Sequence, residues 1–171
     1  MNAETAIRIA ALLDANHVAS LATSGPDGPH AASVFYVRDG LALLWVSDPK
    51  SRHSAELAAN ARVAATVAPD YFDYDEIQGV QISGRASVMS GESERAKARL
   101  MLEARYPCLK RMSEGPPALR EAYQRAEFFR LEPTRIVLID NGRGFGHKDI
   151  LEPGDNPTRL LQQLGAEEAL R

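Results

Sequence analysis

The segment Ser47-Asp48-Pro49-Lys50-Ser51-Arg52-His53 crowds hydroxyls, two cationic side chains and an imidazole into one short stretch. Before it, Leu41 to Ser47 (LALLWVS) reads as a strand. After it, Arg52 to about Asn60 reads as a helix, with Ser51 as its N-cap. The first amides of a helix have no partner within the helix, and the helix dipole places positive charge there. An anion is therefore favoured at this junction. Arg52 adds a planar fork suited to phosphate oxygens. A capped surface helix with solvated charges is written in the same residues, so the junction alone leaves both readings open.

Gln81 stands between Val80 and Ile82, where it faces either a ligand, a partner chain or solvent. The run Gly142-Arg-Gly-Phe-Gly-His147-Lys148 is rich in glycine but lacks both the Gly-Lys-Ser/Thr of a phosphate loop and the strand–helix setting of a dinucleotide fingerprint. A flexible turn explains it better. His17, His30, His53 and His147 show no metal-ligand spacing, so no metal site is expected. There is no nucleophile elbow. Cys108 reads as a small filler.

The elements that must position these residues are mostly strands. Thr5 to Leu13 carries helical periodicity. His17 to Thr23, His30 to Val37 and Leu41 to Ser47 follow, joined by Ser24–Pro29 and by Arg38-Asp39-Gly40, and predict an antiparallel meander. Arg62 to Ala68 and the long Ile77 to Met89 segment are further strands, with Asp70 to Glu76 as a loop. Glycines inside the long strand, Gly79 and Gly84, point to a bulge or to a flat ligand lying close. Glu92 to Ala104 is a helix. A short helix begins at Pro116-Pro117, and two strands, Ala126 to Leu131 and Arg135 to Asp140, close the pattern. These signals predict a mainly β (α+β) fold: a six- to seven-stranded antiparallel split β-barrel with peripheral helices. Residues 1–150 form the barrel domain and 151–171 a polar C-terminal tail, with a weak helix at Pro157 to Leu164.

The chain has 171 residues, with 20 basic against 23 acidic side chains and a net charge of −3. That length suits one domain. The charge disfavours nucleic acid as a partner. No apolar run is long enough to span a bilayer, and the N-terminus has no targeting pattern. A single cysteine excludes an internal disulfide and fits a cytoplasmic location.

Together these pieces resemble the pyridoxamine 5′-phosphate oxidase-like FMN-binding split β-barrels. The resemblance runs from about His17 to Met89. It rests on Trp45-Val46-Ser47-Asp48 leading to Ser51-Arg52-His53, and on Gly79-Val80-Gln81-Ile82-Ser83-Gly84-Arg85-Ala86. Gly-Val-Gln, Arg52-His53-Ser54 and Gly144-Phe145-Gly146-His147-Lys148 resemble the uncharacterised YhbP-like branch. The resemblance implies an FMN-binding homodimer with the flavin at the subunit interface and an oxidoreductase reaction on an unknown small-molecule substrate. It places Ser47 near the flavin, Ser51 and Arg52 at the phosphate, and His53 where the family usually has Lys. The backbone of Val34 and Phe35 lines the ring, and Gln81 reaches across the interface. An Arg and a Lys with which the oxidases contact FMN fall near Ala32 and Val37, so both side chains are missing here, which counts against tight FMN binding; the C-terminal substrate-binding Arg-x-His pattern is absent too. Both departures count against pyridoxamine phosphate oxidation itself. Haem, with one of the four histidines as axial ligand, is the alternative cofactor. A non-catalytic flavin-binding or cofactor-sensing module is the alternative outside enzymes.

Overall fold

A computed structural model describes residues 3–152. Helix α1 (Ala3–Ala15) buries Ala6, Ile9 and Leu13 and leaves Arg8 on its polar side. Strand β1 (Val18–Gly25) alternates strictly, with Ala19, Leu21 and Thr23 turned inward. It pairs antiparallel with β2 (Gly28–Phe35), from Val18↔Phe35 to Gly25↔Gly28. The tight reversal at Pro26-Asp27 ends on Gly28, whose φ of 90° suits a residue without a Cβ.

The expected meander breaks at Tyr36. Strands β3 (Val37–Asp39) and β4 (Ala42–Ser47) pair with each other, but β4 goes on to pair with β7, not with β2. The sheet order is β2-β1-β5-β6-β7-β4-β3, with β8 on β7. Thus β2 and β3, consecutive in the chain, lie at opposite ends of one curled sheet. The Tyr36 carbonyl accepts a hydrogen bond from the Tyr106 hydroxyl, which supplies a donor where the ladder stops. The Tyr36 hydroxyl donates to the Leu13 carbonyl at 2.7 Å.

Helix α2 (Arg52–Ala59) leads to β5 (Arg62–Val67), which joins β1 to β6 (Gln78–Val88). Strand β7 (Glu127–Asp140) pairs with β6 along its whole length, so the two predicted strands are one. Pro133 does not break it because the register shifts there, opposite Ser83 and Gly84. A Cβ on Gly84 would collide with the Glu132 carbonyl oxygen, which explains that glycine as a bulge partner. Helices α3 (Glu92–Arg105), α4 (Pro107–Ser113) and α5 (Pro117–Arg125) pack outside the sheet. Helix α4 was not expected: Pro107 reads as a stop to α3, yet it occupies the first helical position of the next helix, where its missing N–H costs nothing. Strand β8 (Lys148–Leu151) was also not expected; Leu151 is buried in the barrel core, one residue past the expected boundary at 150.

Two cores result. Inside the barrel, Trp45 stacks on Phe129 with centroids 5.3 Å apart among Leu21, Leu43, Ile82 and Leu131. Outside, Leu44 and Phe128 meet Ala98, Leu102 and Tyr123 of the helices. Each fully buried large side chain contributes roughly 1.5–3 kcal/mol, so β4 and β7 are fixed from both faces. That anchors Ser47 at the end of β4. The helix predicted at 157–164 lies outside the described residues.

Candidate functional site

Strand β4 ends at Ser47, and the chain turns through Asp48, whose Oδ1 accepts from the Lys50 amide at 2.8 Å. Ser51 has extended backbone angles and caps α2, its Oγ accepting from the Ser54 amide at 3.3 Å. The side chain of His53 turns back toward the strand. Its Nε2 lies 2.6 Å from Ser47 Oγ and 3.2 Å from Ser51 Oγ. It is 9% exposed, and its ring lies parallel to that of His30 on β2, 6.5 Å between centroids and 8° between planes. Burial, reinforced by the His30 charge, holds the His53 pKa below its ordinary value; Glu56 opposes this only in part.

Arg52 is not free. Its Nε donates to Glu56 Oε1 at 2.7 Å, and a terminal nitrogen reaches the Gly28 carbonyl at 3.3 Å. Glu56 is buried, and its second oxygen accepts from Thr23 Oγ1 at 2.6 Å. Those two hydrogen bonds hold the Glu56 pKa below the usual carboxylate value. A Cβ on Gly25 would stand 2.8 Å from Glu56 Cγ, so the bare glycine leaves room for the carboxylate. The junction, α2 and the β1–β2 hairpin thus form one polar assembly.

Val34 and Phe35 meet this assembly from the other side of a gap. The β3–β4 ladder runs Val37↔Leu44 and Arg38↔Leu43. Continued backward, it would set Phe35 opposite Val46 and Val34 opposite Ser47. It is not continued, because β2 leaves β3 at Tyr36 and ends the sheet as an edge strand. This gap in the pairing has Val34 and Phe35 on one side and Ser47 on the other, and β2 and β4 approach each other there without ladder hydrogen bonds. Val34 is buried, whereas Phe35 is half exposed and lies 5.0 Å from the Tyr106 ring. Of the two positions without the expected cations, Val37 is buried in the outer core and Ala32 is half-buried.

Gln81 is not part of this group. It is exposed on the outward face of β6, in a row with Thr66 of β5, Ser20 of β1 and Ser33 of β2. Three strand spacings, roughly 14 Å, separate it from β2. The glycine-rich loop lies at the far end of β7: Ser47 pairs with Glu127, the first residue of that strand, whereas Asp140 is its last. There a short 3-10 turn (Asn141–Arg143) runs to His147, which sits 3.2 Å from Asp149.

Residues 6–140 match the profile of the family described as pyridoxamine 5′-phosphate oxidase. The chain belongs to this family. A UPF0306 protein of Serratia proteamaculans is 32% identical over 143 residues, which is 82% of this chain and 90% of the relative. UPF0306 proteins are the YhbP-like branch. Among solved structures, a haem-binding protein from Mycobacterium smegmatis superposes with a TM-score of 0.68 at 22% identity, covering 89% of this chain and 58% of that one. A haem storage protein from Vibrio cholerae superposes with a TM-score of 0.59 at 18% identity, covering 78% and 91%. These likenesses show the shared fold, a split barrel.

Sequence reasoning placed the junction but missed His30, Thr23 and Glu56. Glu56 had a signal, since it stands four residues after Arg52 on one helix face. His30 had none, because only the tertiary fold brings β2 under α2. Among the described residues, no cluster of three or more His, Cys, Asp or Glu side chains is arranged to hold a metal. No described helix is long and apolar enough to cross a membrane.

Proposed function

We propose that this family member binds FMN at the interface of a homodimer and uses it in a two-electron redox reaction on a small-molecule substrate. The carrying observation is the unpaired edge of β2, which lies beside the N-terminus of α2. The edge amides and carbonyls of β2 need partners, and a planar heterocycle with donors and acceptors on its rim supplies them. Ser51, His53 and the first amides of α2 suit a phosphate. When bound, the flavin supplies the electron chemistry. The chain's own residues hold and orient it: Ser47 at the mouth of the gap, Val34 and Phe35 along one side, and Arg52 over the phosphate from its seat on Glu56.

The dimer reading rests on the outward face of β2-β1-β5-β6. Ser20, Ala22, Ala64, Thr66 and Ser83 are all exposed there, so the face is low and lets a second sheet approach closely. A self-complementary face is the commonest route to closed two-fold symmetry. Gln81 from a second copy is then free to reach the flavin. Pyridoxamine 5′-phosphate is not assigned as substrate, because the C-terminal Arg-x-His pattern that binds it in the oxidases is absent, and Ala32 and Val37 lack two side chains with which the oxidases contact FMN.

The test is the visible spectrum of the purified protein after incubation with FMN or with haem. A bound flavin band supports the proposal. A Soret band instead favours haem, which two proteins of this fold bind or store. Binding of neither overturns the proposal. Turnover of reduced nicotinamide with an added acceptor separates an enzyme from a flavin carrier or sensor. Light scattering that gives a monomer mass at every concentration overturns the dimer.

A further inference from the structure

We infer that His30 and His53 together form a proton-coupled anion subsite for a phosphate monoester, an inference that rests on the FMN reading above. The two rings come from different elements and face each other in parallel, 6.5 Å apart. His30 pairs in register with Thr23, and Thr23 holds Glu56 of α2, so both imidazoles lie on the α2 side of the hairpin. Within the described residues neither ring has a carboxylate partner. Glu56, on α2 itself, has committed one oxygen to Thr23 of β1 and the other to Arg52. Arg52 gives one N–H to Glu56 and one to the Gly28 carbonyl of β2 and keeps its other donors for a ligand. Asp48, in the turn after β4, caps the Lys50 amide. What hydrogen-bonds or stacks on His53 is therefore two hydroxyls, Ser47 and Ser51, and one further imidazole, with the Glu56 charge acting from its seat on Thr23 and Arg52.

This set lacks charge balance in one direction only. Two imidazolium ions side by side repel, so the empty pair resists taking up two protons. A phosphate dianion between them and the α2 N-terminus removes that obstacle. Each ring then gains a charge-assisted hydrogen bond, and the Ser47 hydroxyl beside Nε2 can turn its proton to the ligand, whereas Ser51 donates to Ser54 Oγ at 2.7 Å. Burial and mutual repulsion in the free protein, which press the His53 pKa downward, are the counterpart of that uptake. Binding and protonation become one event, so affinity rises as pH falls from about 8 to about 6.5, where the phosphate keeps much of its second charge. A merely structural ring pair would stabilise the hairpin against α2 without sensing the ligand.

The test follows the Cε1–H signals of the histidines by NMR from about pH 5 to about pH 9, with and without FMN. The expected result is that FMN raises the titration midpoints of His30 and His53 together. His30→Gln is expected to weaken FMN on the order of tenfold near pH 6.5 and about twofold near pH 8.5, with riboflavin unchanged. His30→Lys is expected to restore FMN affinity and to flatten its pH dependence. A His30 midpoint unmoved at FMN saturation overturns the subsite, as does equal loss of FMN and riboflavin. If wild-type protein binds no FMN, the FMN reading fails, and the same titration with inorganic phosphate decides the subsite separately. A joint rise of both midpoints supports it, and unmoved midpoints overturn it.

Discussion

Two polar clusters at opposite ends of β7 are built from the same residue types and come out opposite. At one end, Arg8 binds Asp140 and, at 2.9 Å, Asp149; His147 lies 3.2 Å from the same Asp149. Asp140 also accepts from Gln78 Nε2 and from the Gly142 amide, both at 3.1 Å. Acids and bases alternate, and the cluster closes on itself. At the other end His53 and His30 face each other, the Glu56 carboxylate is hydrogen-bonded to Thr23 and Arg52, and among the described residues two serine hydroxyls are the hydrogen-bond partners of His53 Nε2. A closed network stabilises the fold and asks nothing of a ligand. An imbalanced one is the better place to look for function.

The largest expected effect is on the closed cluster. Asp140→Ala takes away one of the two carboxylates that hold Arg8, leaving it Asp149, and deprives the Gln78 and Gly142 donors of their acceptor at a buried position. Breaking a partly buried pair in this way costs about 3 kcal/mol. Urea denaturation is expected to show that loss, with FMN affinity of the folded fraction unchanged. A large loss of FMN affinity without loss of stability would reverse the assignment of the two clusters.

Next is Arg52→Ala at the open cluster. It removes one cation from beside the α2 N-terminus, and Glu56 loses a partner too. FMN is expected to bind roughly tenfold or more weakly, the worth of one charge-assisted contact of about 1.5–3 kcal/mol. Riboflavin, which has no phosphate, is expected to bind as before. Equal losses for both ligands would show that Arg52 serves Glu56 alone.

Smaller again is the acid response, and here the two clusters separate by pH. The folded pKa of His53 lies below its unfolded value of 6.5. The unfolded chain therefore binds the proton first, and stability present above that value is lost as pH falls through the folded pKa. Glu56, held below 4.5 by Thr23 and Arg52, adds a loss only beneath that pH. Burial raises the Asp149 pKa, but hydrogen bonds from His147 and Arg8 outweigh this and hold it below 3.8. Its contribution is lost only as pH falls beneath that point. Ligand-free protein is thus expected to lose urea resistance as pH falls below 6.5 because of His53. His53→Gln flattens that window and leaves the loss at lower pH in place. An unchanged slope in His53→Gln would mean that the ring is not buried neutral.

How far these clusters were legible follows from how local each is. The Ser47–His53 junction is one turn between a strand and a helix, so its caps and hydroxyls could be read directly. The alternation of β1, β5 and β6 was legible for the same reason, since one buried face imposes period two. The pairing of β4 was not. A short loop at Arg38-Asp39-Gly40 signals a hairpin correctly, but nothing local shows that β2 and β3 part at Tyr36. The partner that takes the Tyr36 carbonyl, Tyr106, lies 70 residues away. Pro107 and Pro133 misled in one way: each was read as a break, where one starts a helix and the other sits at a bulge. His30 entered the site only through the fold, as did the ion cluster at Asp140, whose members come from α1, β6, β7 and β8.

The smallest expected effect sharpens the comparison most, because it uses the same substitution at both ends. His147 is a third exposed, and its partner Asp149 keeps Arg8 at 2.9 Å when the imidazole is removed. An ion pair that is partly solvated and redundant is worth no more than about 0.5 kcal/mol. His147→Gln is therefore expected to leave stability near neutral pH within that margin. The same variant is expected to leave FMN affinity unchanged at every pH, since β7 separates the loop from the junction. His53→Gln, with the same loss of one imidazole, is expected to weaken FMN and to remove most of its pH dependence. Calorimetric titration of FMN into the two variants across this pH range checks both statements. If His147→Gln lost as much stability as Asp140→Ala, His147 would be holding the closed cluster together, and its apparent redundancy with Arg8 would be wrong.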